Sequence, residues 1–417
     1  MQQTCTRGDR GFRGYCAPPM SSPSPERAVA VLSIAAFGSS ASLRCTDALL
    51  PLLAAEFGTT AGRASAAITA FSVAYGLLQV VHGPIGDKVG KYRLAFYTTL
   101  ISLFGTIACA ISPSLEVLVV ARFAAGATIG AIIPLAMAWI GDVVPYASRQ
   151  SVLARFLIGQ MLGVGAGGSL GGYLGEHFGW RSPFYLLTVF YAVVSALLWF
   201  ELARNPSTRT DPARAPGSIA DGFRRMGQLL HDPWVRTILL TAVIEGALFY
   251  GSLSFVALHL HREVGVGLGA SGTAIAAYAA GGLVYAAVSK KLIRRLGERG
   301  LALTGGLTIS AAFLGLVASS SIFAALPCLL AVGAGIYMLH NTIQVHATQM
   351  APESRGGALA LFALLLFTGQ SLGVWIGGKV VDASGTAPLF LLTAVGMPLL
   401  ALDFRRRLAR RAAKTPA

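Results

Sequence analysis

The chain has 417 residues, of which 54% are hydrophobic and only 12% charged, and its net charge is +15. A soluble domain carries about 25% charged residues, so this balance excludes an ordinary soluble domain and puts most of the chain in lipid. The 33 Lys and Arg against 18 Asp and Glu would suit nucleic acid, and their distribution along the chain decides against it.

A helix needs about 20 apolar residues to cross the hydrocarbon. Twelve candidates follow one another near 28–55, 62–84, 94–112, 115–140, 150–174, 183–202, 234–258, 270–289, 300–320, 322–347, 355–380 and 385–403. With the N-terminus inside, 26 of the 33 cations fall on the inner side. Arg63, Arg181, Arg262 and Lys379 fall outside, and Arg44, Arg122 and Arg155 stay within spans. This bias predicts a multi-pass protein of a bacterial inner membrane with both termini cytoplasmic. The basic excess then faces anionic headgroups of the bilayer and not nucleic acid.

Residues 1–27 are polar and rich in Arg, Gly, Ser and Pro. They lack the apolar core of a signal peptide and are expected to be a disordered cytoplasmic segment, with Met20 an alternative start. Residues 28–203 and 233–403 are expected to form two six-helix bundles, joined by a cytoplasmic linker at 204–232 of Pro, Gly, Ser, Thr and Arg. Residues 404–417 read as a basic cytoplasmic tail. The cysteines Cys5, Cys16, Cys45, Cys109 and Cys328 are scattered without CxxC or histidine spacing. No disulfide framework, metal or cofactor is expected.

One block is written twice. Gly159-Gln160-Met161-Leu162-Gly163-Val164-Gly165-Ala166-Gly167-Gly168 returns as Gly369-Gln370-Ser371-Leu372-Gly373-Val374-Trp375-Ile376-Gly377-Gly378. Gly159, Gly163 and Gly167, like Gly369, Gly373 and Gly377, share one helix face, and small residues let membrane helices approach closely. Copies on the fifth and eleventh spans predict that each half repeats the other, with the site at their junction. Gln160 and Gln370 are candidate symmetry-related donors to that cavity.

The second span closes on Gly83-Pro84-Ile85-Gly86-Asp87-Lys88-Val89-Gly90-Lys91-Tyr92-Arg93. Gly83 and Gly90 suit a tight turn, Asp87 a helix cap, and Lys88, Lys91 and Arg93 bonds to carbonyls at a helix end. The pattern resembles the signature loop GxxxDxxGRxx of the major facilitator superfamily, with Lys91 where that loop usually has Arg. The resemblance runs from about Ala28 to Asp403 and implies an all-α integral membrane fold of twelve helices in two pseudo-symmetric six-helix bundles. It also implies that Asp142 partners Lys91 in a conformational latch. In the second half Arg295-Leu296-Gly297 aligns with Lys88-Val89-Gly90, Arg294 replaces Asp87 and Glu298 replaces Lys91. That decay suggests a latch operating mainly in the first half.

Charges inside spans are expensive and point to function. Arg122-Phe123-Ala124-Ala125-Gly126 resembles the RxxxG element of proton-coupled members. Asp47 is its natural partner, although Arg44 stands three residues away on the same face and competes. Glu245, without a cation in its own span, is a candidate proton carrier, because an unpaired carboxylate in low dielectric can load and release a proton near neutral pH. His340, Asn341 and Gln344 could line the substrate cavity, with His346 and Gln349 nearer its cytoplasmic mouth.

The first glycine block departs from the antiporter pattern GxxxGPxxGG, since Val164 replaces its proline. Resemblance to arabinose-efflux-like and drug:proton antiporter members nonetheless favours export of a small organic solute by proton antiport with alternating access, by a monomer. Uptake is the alternative. An enzyme or receptor is not expected, since HExxH and GxxxxGK[ST] patterns are lacking.

Overall fold

The computed structural model describes residues 25–209, 224, 226–351 and 355–414. Among the described residues, eleven helices are long and apolar enough to cross a membrane. They are α1 (Glu26–Glu56), α2 (Ala61–Val89), α3 (Lys91–Ala110), α4 (Leu115–Val143), α5 (Ser148–Phe178), α6 (Ser182–Arg204), α7 (Pro233–Arg262), a 51-residue helix Leu268–Ala318, then α10 (Ile322–Gln349), α11 (Gly357–Ser384) and α12 (Thr386–Ala413). At 1.5 Å per residue the longest would run about 76 Å, more than twice the hydrocarbon thickness. Gly297, at φ 62° and ψ 175°, breaks it. It is therefore two spans, α8 (268–296) and α9 (298–318), which makes twelve among the described residues.

Local chemistry sets many ends. Ser114, Ser321 and Asp232 accept from the first free amides of α4, α10 and α7, which supplies part of what a helix start lacks. Gly90, at φ 99°, turns α2 into α3, as Gly297 turns α8 into α9. The two glycines matched in sequence thus make the same turn. Gly83, expected to share in that turn, lies inside α2 with open space around it; Gly90 alone reverses the chain, because only the position of positive φ needs a missing Cβ. The described part of the expected basic tail is helical. Helix Thr386–Lys414 continues through Arg405, Arg406 and Arg407 without a break, held in part by an i,i+4 pair of Asp403 and Arg407 at 2.6 Å. The expected disordered N-terminus, most of the linker and Met20 lie outside the described residues.

Each half packs by the same rule. In α5, a Cβ on Gly159, Gly163 or Gly167 would strike the backbone of Ser33, Phe37 or Ala41 in α1. In α11, one on Gly369 or Gly373 would strike the backbone of Val243 or Ala247 in α7, and one on Gly377 would meet Phe255 and Leu389. The repeated glycine strip therefore seats α5 on α1 and α11 on α7. Large apolar side chains left exposed, among them Phe104, Val189, Phe200, Leu314 and Leu392, lie on α3, α6, α9 and α12, the surface a bilayer covers.

Between the halves, α2 packs on α11 and α5 on α8. Helix alternation defines two faces: a basic face, holding Gly90, Gly297 and the helix ends at Arg204 and Pro233, and a far face opposite. Among the described residues, hydrogen bonds joining the halves run from Thr60 and Gly62 to Asp382, from Gly269 to Glu176 and from Gln370 to Ser72. All lie at the far face or near the middle. The halves are closed on that side.

Candidate functional site

Two helices lose regular α-geometry where they carry a carboxylate. In α1 the helix ends at Arg44, a 3-10 turn spans Asp47–Leu49, and the helix resumes at Leu50. In α7 it ends at Glu245 and a π segment spans Gly246–Tyr250. Such departures occur often at functional sites and release backbone groups at membrane depth. Both carboxylates are fully buried, at 0% exposure.

They sit at different levels. Gly163 packs on Phe37 and its counterpart Gly373 on Ala247, so position 47 of α1 corresponds to about position 257 of α7. Glu245 lies twelve residues from that point, about 18 Å nearer the basic face.

Asp47 pairs with Arg44, Nη1 to Oδ2 at 3.1 Å. Arg122, expected as its natural partner, donates instead to the carbonyls of Ser42 at 3.2 Å and Ala67 at 3.4 Å, and its guanidinium lies 3.9 Å over the ring of Phe71. The i,i+3 spacing on a broken helix brings Arg44 closer, so the competitor takes the carboxylate. Arg122 still acts on Asp47 through space. Asp47 Oδ1 and Arg122 Nη2 are buried without a partner, a costly state that a moving part of a cycle can relieve.

Glu245 has a partner that its own span hides. His340 of α10 places Nδ1 3.0 Å from Glu245 Oε2, while Oε1 is buried and unpartnered. The proton carrier expected to stand alone is half of a carboxylate–imidazole pair.

Tyrosines lie near these centres, of which the sequence singles out only Tyr250, in the run Glu245-Gly246-x-x-Phe249-Tyr250-Gly251. Arg44 lies 5.2 Å from the ring centroid of Tyr250 in the opposite half. Tyr278 is buried, and the ring of Phe249 lies 4.9 Å from that of Tyr250 and 6.1 Å from that of Tyr278, centroid to centroid. Their signal was weak, since an aromatic in an apolar span reads as core. Asn341 is half-buried, whereas Gln344 is exposed. The two glutamines are not equivalent: Gln370 is buried and donates to Ser72 across the halves at 2.9 Å, and Gln160 is only half-buried.

At the basic face Lys91 lies between Asp142 at 2.5 Å and Asp87 at 3.2 Å. Asp87, considered as a helix cap, instead pairs with the cation four residues on. Lys88 and Arg93 are exposed. The second copy has reversed polarity where decay was expected: Glu298, in the place of Lys91, meets His346 of α10 at 3.1 Å, and His346 packs edge-on to Trp234.

The sequence profile of the Major Facilitator Superfamily matches residues 32–374. The chain belongs to the Major Facilitator Superfamily and is a multi-pass membrane transporter of small molecules. It is 24% identical over 364 residues to the MFS-type transporter YceJ of Bacillus subtilis (strain 168), covering 83% of this chain and 89% of that one. It is 27% identical over 183 residues to the multidrug export protein EmrB of Escherichia coli (strain K12), covering 44% of this chain and 36% of that one. In fold it is similar to the nucleoside transporter NupG, with TM-score 0.73, 13% identity and coverage of 90% of this chain and 98% of that one. The same holds for the POT family transporter PepTSo, with TM-score 0.73, 15% identity and coverage of 94% and 99%.

Proposed function

We propose that this protein exports a small organic solute across a bacterial inner membrane in exchange for protons, with both termini cytoplasmic. One observation carries the coupling: two fully buried carboxylates interrupt α1 and α7, one held by arginine and one by histidine. Glu245 with His340 is the proton-exchanging centre, since it joins a fully buried carboxylate to an imidazole, the side-chain types that form proton relays inside membranes. Asp47 with Arg44, close to Arg122, is the charged hinge of the N-terminal half. Asn341, Gln344 and the tyrosines supply the solute's contacts around the middle of the cavity, and Gln370 steadies the crossing of α2 and α11. The Lys91–Asp142 and Glu298–His346 pairs bias which side is open. Export is favoured by the likeness to EmrB, whose name is that of a multidrug exporter.

Purified protein in liposomes, given an imposed pH gradient and a panel of drugs, sugars and metabolites, tests this. The expected result is uphill movement of at least one solute that collapses with a protonophore. Flux indifferent to the gradient would remove proton coupling, and accumulation with the proton flow would turn export into uptake. Cytoplasmic reporters fused after Gly217 and Thr415 should both be active.

A further inference from the structure

Two acids stand against the rule for their own helices. Glu176 lies in the last turns of α5 and Asp382 in the last turn of α11, where a negative charge opposes the helix dipole. Their partners explain the placement. Glu176 Oε2 accepts from the Gly269 amide at 2.7 Å, at the start of α8. Asp382 Oδ1 accepts from the Gly62 amide at 2.9 Å and its Oδ2 from the Thr60 hydroxyl at 2.6 Å, at the start of α2. In both cases the acid belongs to one half and the helix start to the other. First-turn amides lack partners and carry partial positive charge. Gly267, which precedes α8, provides no side-chain cap of its own.

The glycine repeat leads to both contacts. In the doubled glycines Gly167-Gly168 and Gly377-Gly378 the first packs within its own half. The second faces the other half: a Cβ on Gly168 would sit 3.0 Å from the Gly272 carbonyl of α8, and one on Gly378 would sit 2.8 Å from the Gly62 carbonyl of α2. Farther along, toward the far face, each helix reaches its acid. The two seams correspond, α5 on α8 and α11 on α2.

We propose that Glu176 and Asp382 are paired catches of the far-side gate, positioning residues that hold the halves together while the far face is closed and let go when it opens. The proposal rests on the alternating-access reading. Both acids are solvent-exposed, so neither contact is strong alone; each acts because a transporter's two states lie close in energy, where a small bias changes populations several-fold.

Hydrogen exchange of the full chain in lipid nanodiscs tests this without a substrate. Asp382→Asn should raise exchange several-fold not only at 60–69 but also at 268–276, a seam it does not touch, because one seam cannot open while the halves stay closed at the other. Glu176→Gln should act reciprocally, and the double variant should exceed tenfold at both. Effects confined to the altered seam would overturn the proposal and leave two local caps. Thr60→Val, which keeps both carboxylates, should give a smaller change of the same pattern and serves if the acid variants fold poorly; no change at 268–276 there, with normal exchange elsewhere, also counts against it. Absence of solute flux in the unaltered protein would remove the transport reading while leaving the seam coupling standing.

Discussion

Asp47 and Glu245 are the same chemical group, equally buried, in equivalent helices of a duplicated fold, and their surroundings differ in kind. Asp47 meets Arg44, a cation that keeps its charge at any accessible pH, whereas Glu245 meets His340, which is charged only when protonated. The basic face repeats the contrast: Lys91 sits between carboxylates in the first half, and Glu298 faces a histidine in the second. Duplication has kept the backbone and divided the chemistry. The N-terminal half carries fixed charge, and the C-terminal half carries charge that a proton can change.

The largest expected effect comes from breaking the fixed side. Asp47→Asn should strand a buried guanidinium at a cost of roughly 3 kcal/mol or more, lowering the thermal midpoint of the purified protein and impairing both uphill transport and solute exchange. A variant with intact stability and exchange would show that Arg44 does not depend on Asp47.

Next is the titratable side. Glu245→Gln should abolish accumulation driven by a pH gradient while sparing exchange, which moves no net proton. His340→Gln should leave measurable flux and flatten its dependence on pH between about 6 and 8, where free imidazole titrates. Uphill transport retained by Glu245→Gln would shift the proton to Asp47.

At the basic face the effects should be smaller. Asp87→Asn removes one of two partners of a half-exposed lysine, worth up to about 1 kcal/mol, and should slow turnover several-fold at normal abundance. Glu298→Gln, which breaks the contact with His346, should slow it by a similar several-fold factor. Unchanged turnover would show that this pair does not bias the cycle.

The smallest difference separates the glutamines. Gln370→Ala, which loses a buried bond across the halves worth roughly 0.5–1.5 kcal/mol, should change turnover a few-fold, and Gln160→Ala less than twofold in the same flux assay. Equal losses would restore the symmetry that the repeat suggests.

Much of this architecture was legible in the chain itself, for a physical reason: lipid satisfies no backbone group, so long apolar segments must be helices, and hydrophobic length alone gives their number. The glycine repeat disclosed the duplication because close helix contact tolerates no side chain there. Gly90 and Gly297 disclosed the turns because positive φ excludes other residues. The partners of charges were not legible. His340 lies 95 residues from Glu245, Gly269 lies 93 from Glu176, and Gly62 lies 320 from Asp382. Composition and periodicity thus determined what spans the membrane and that it does so twice. Only the packing of one half on the other decided which carboxylate meets arginine, which meets histidine and which cap a foreign helix, because an ion pair depends on distance across helices and the sequence records distance only along them.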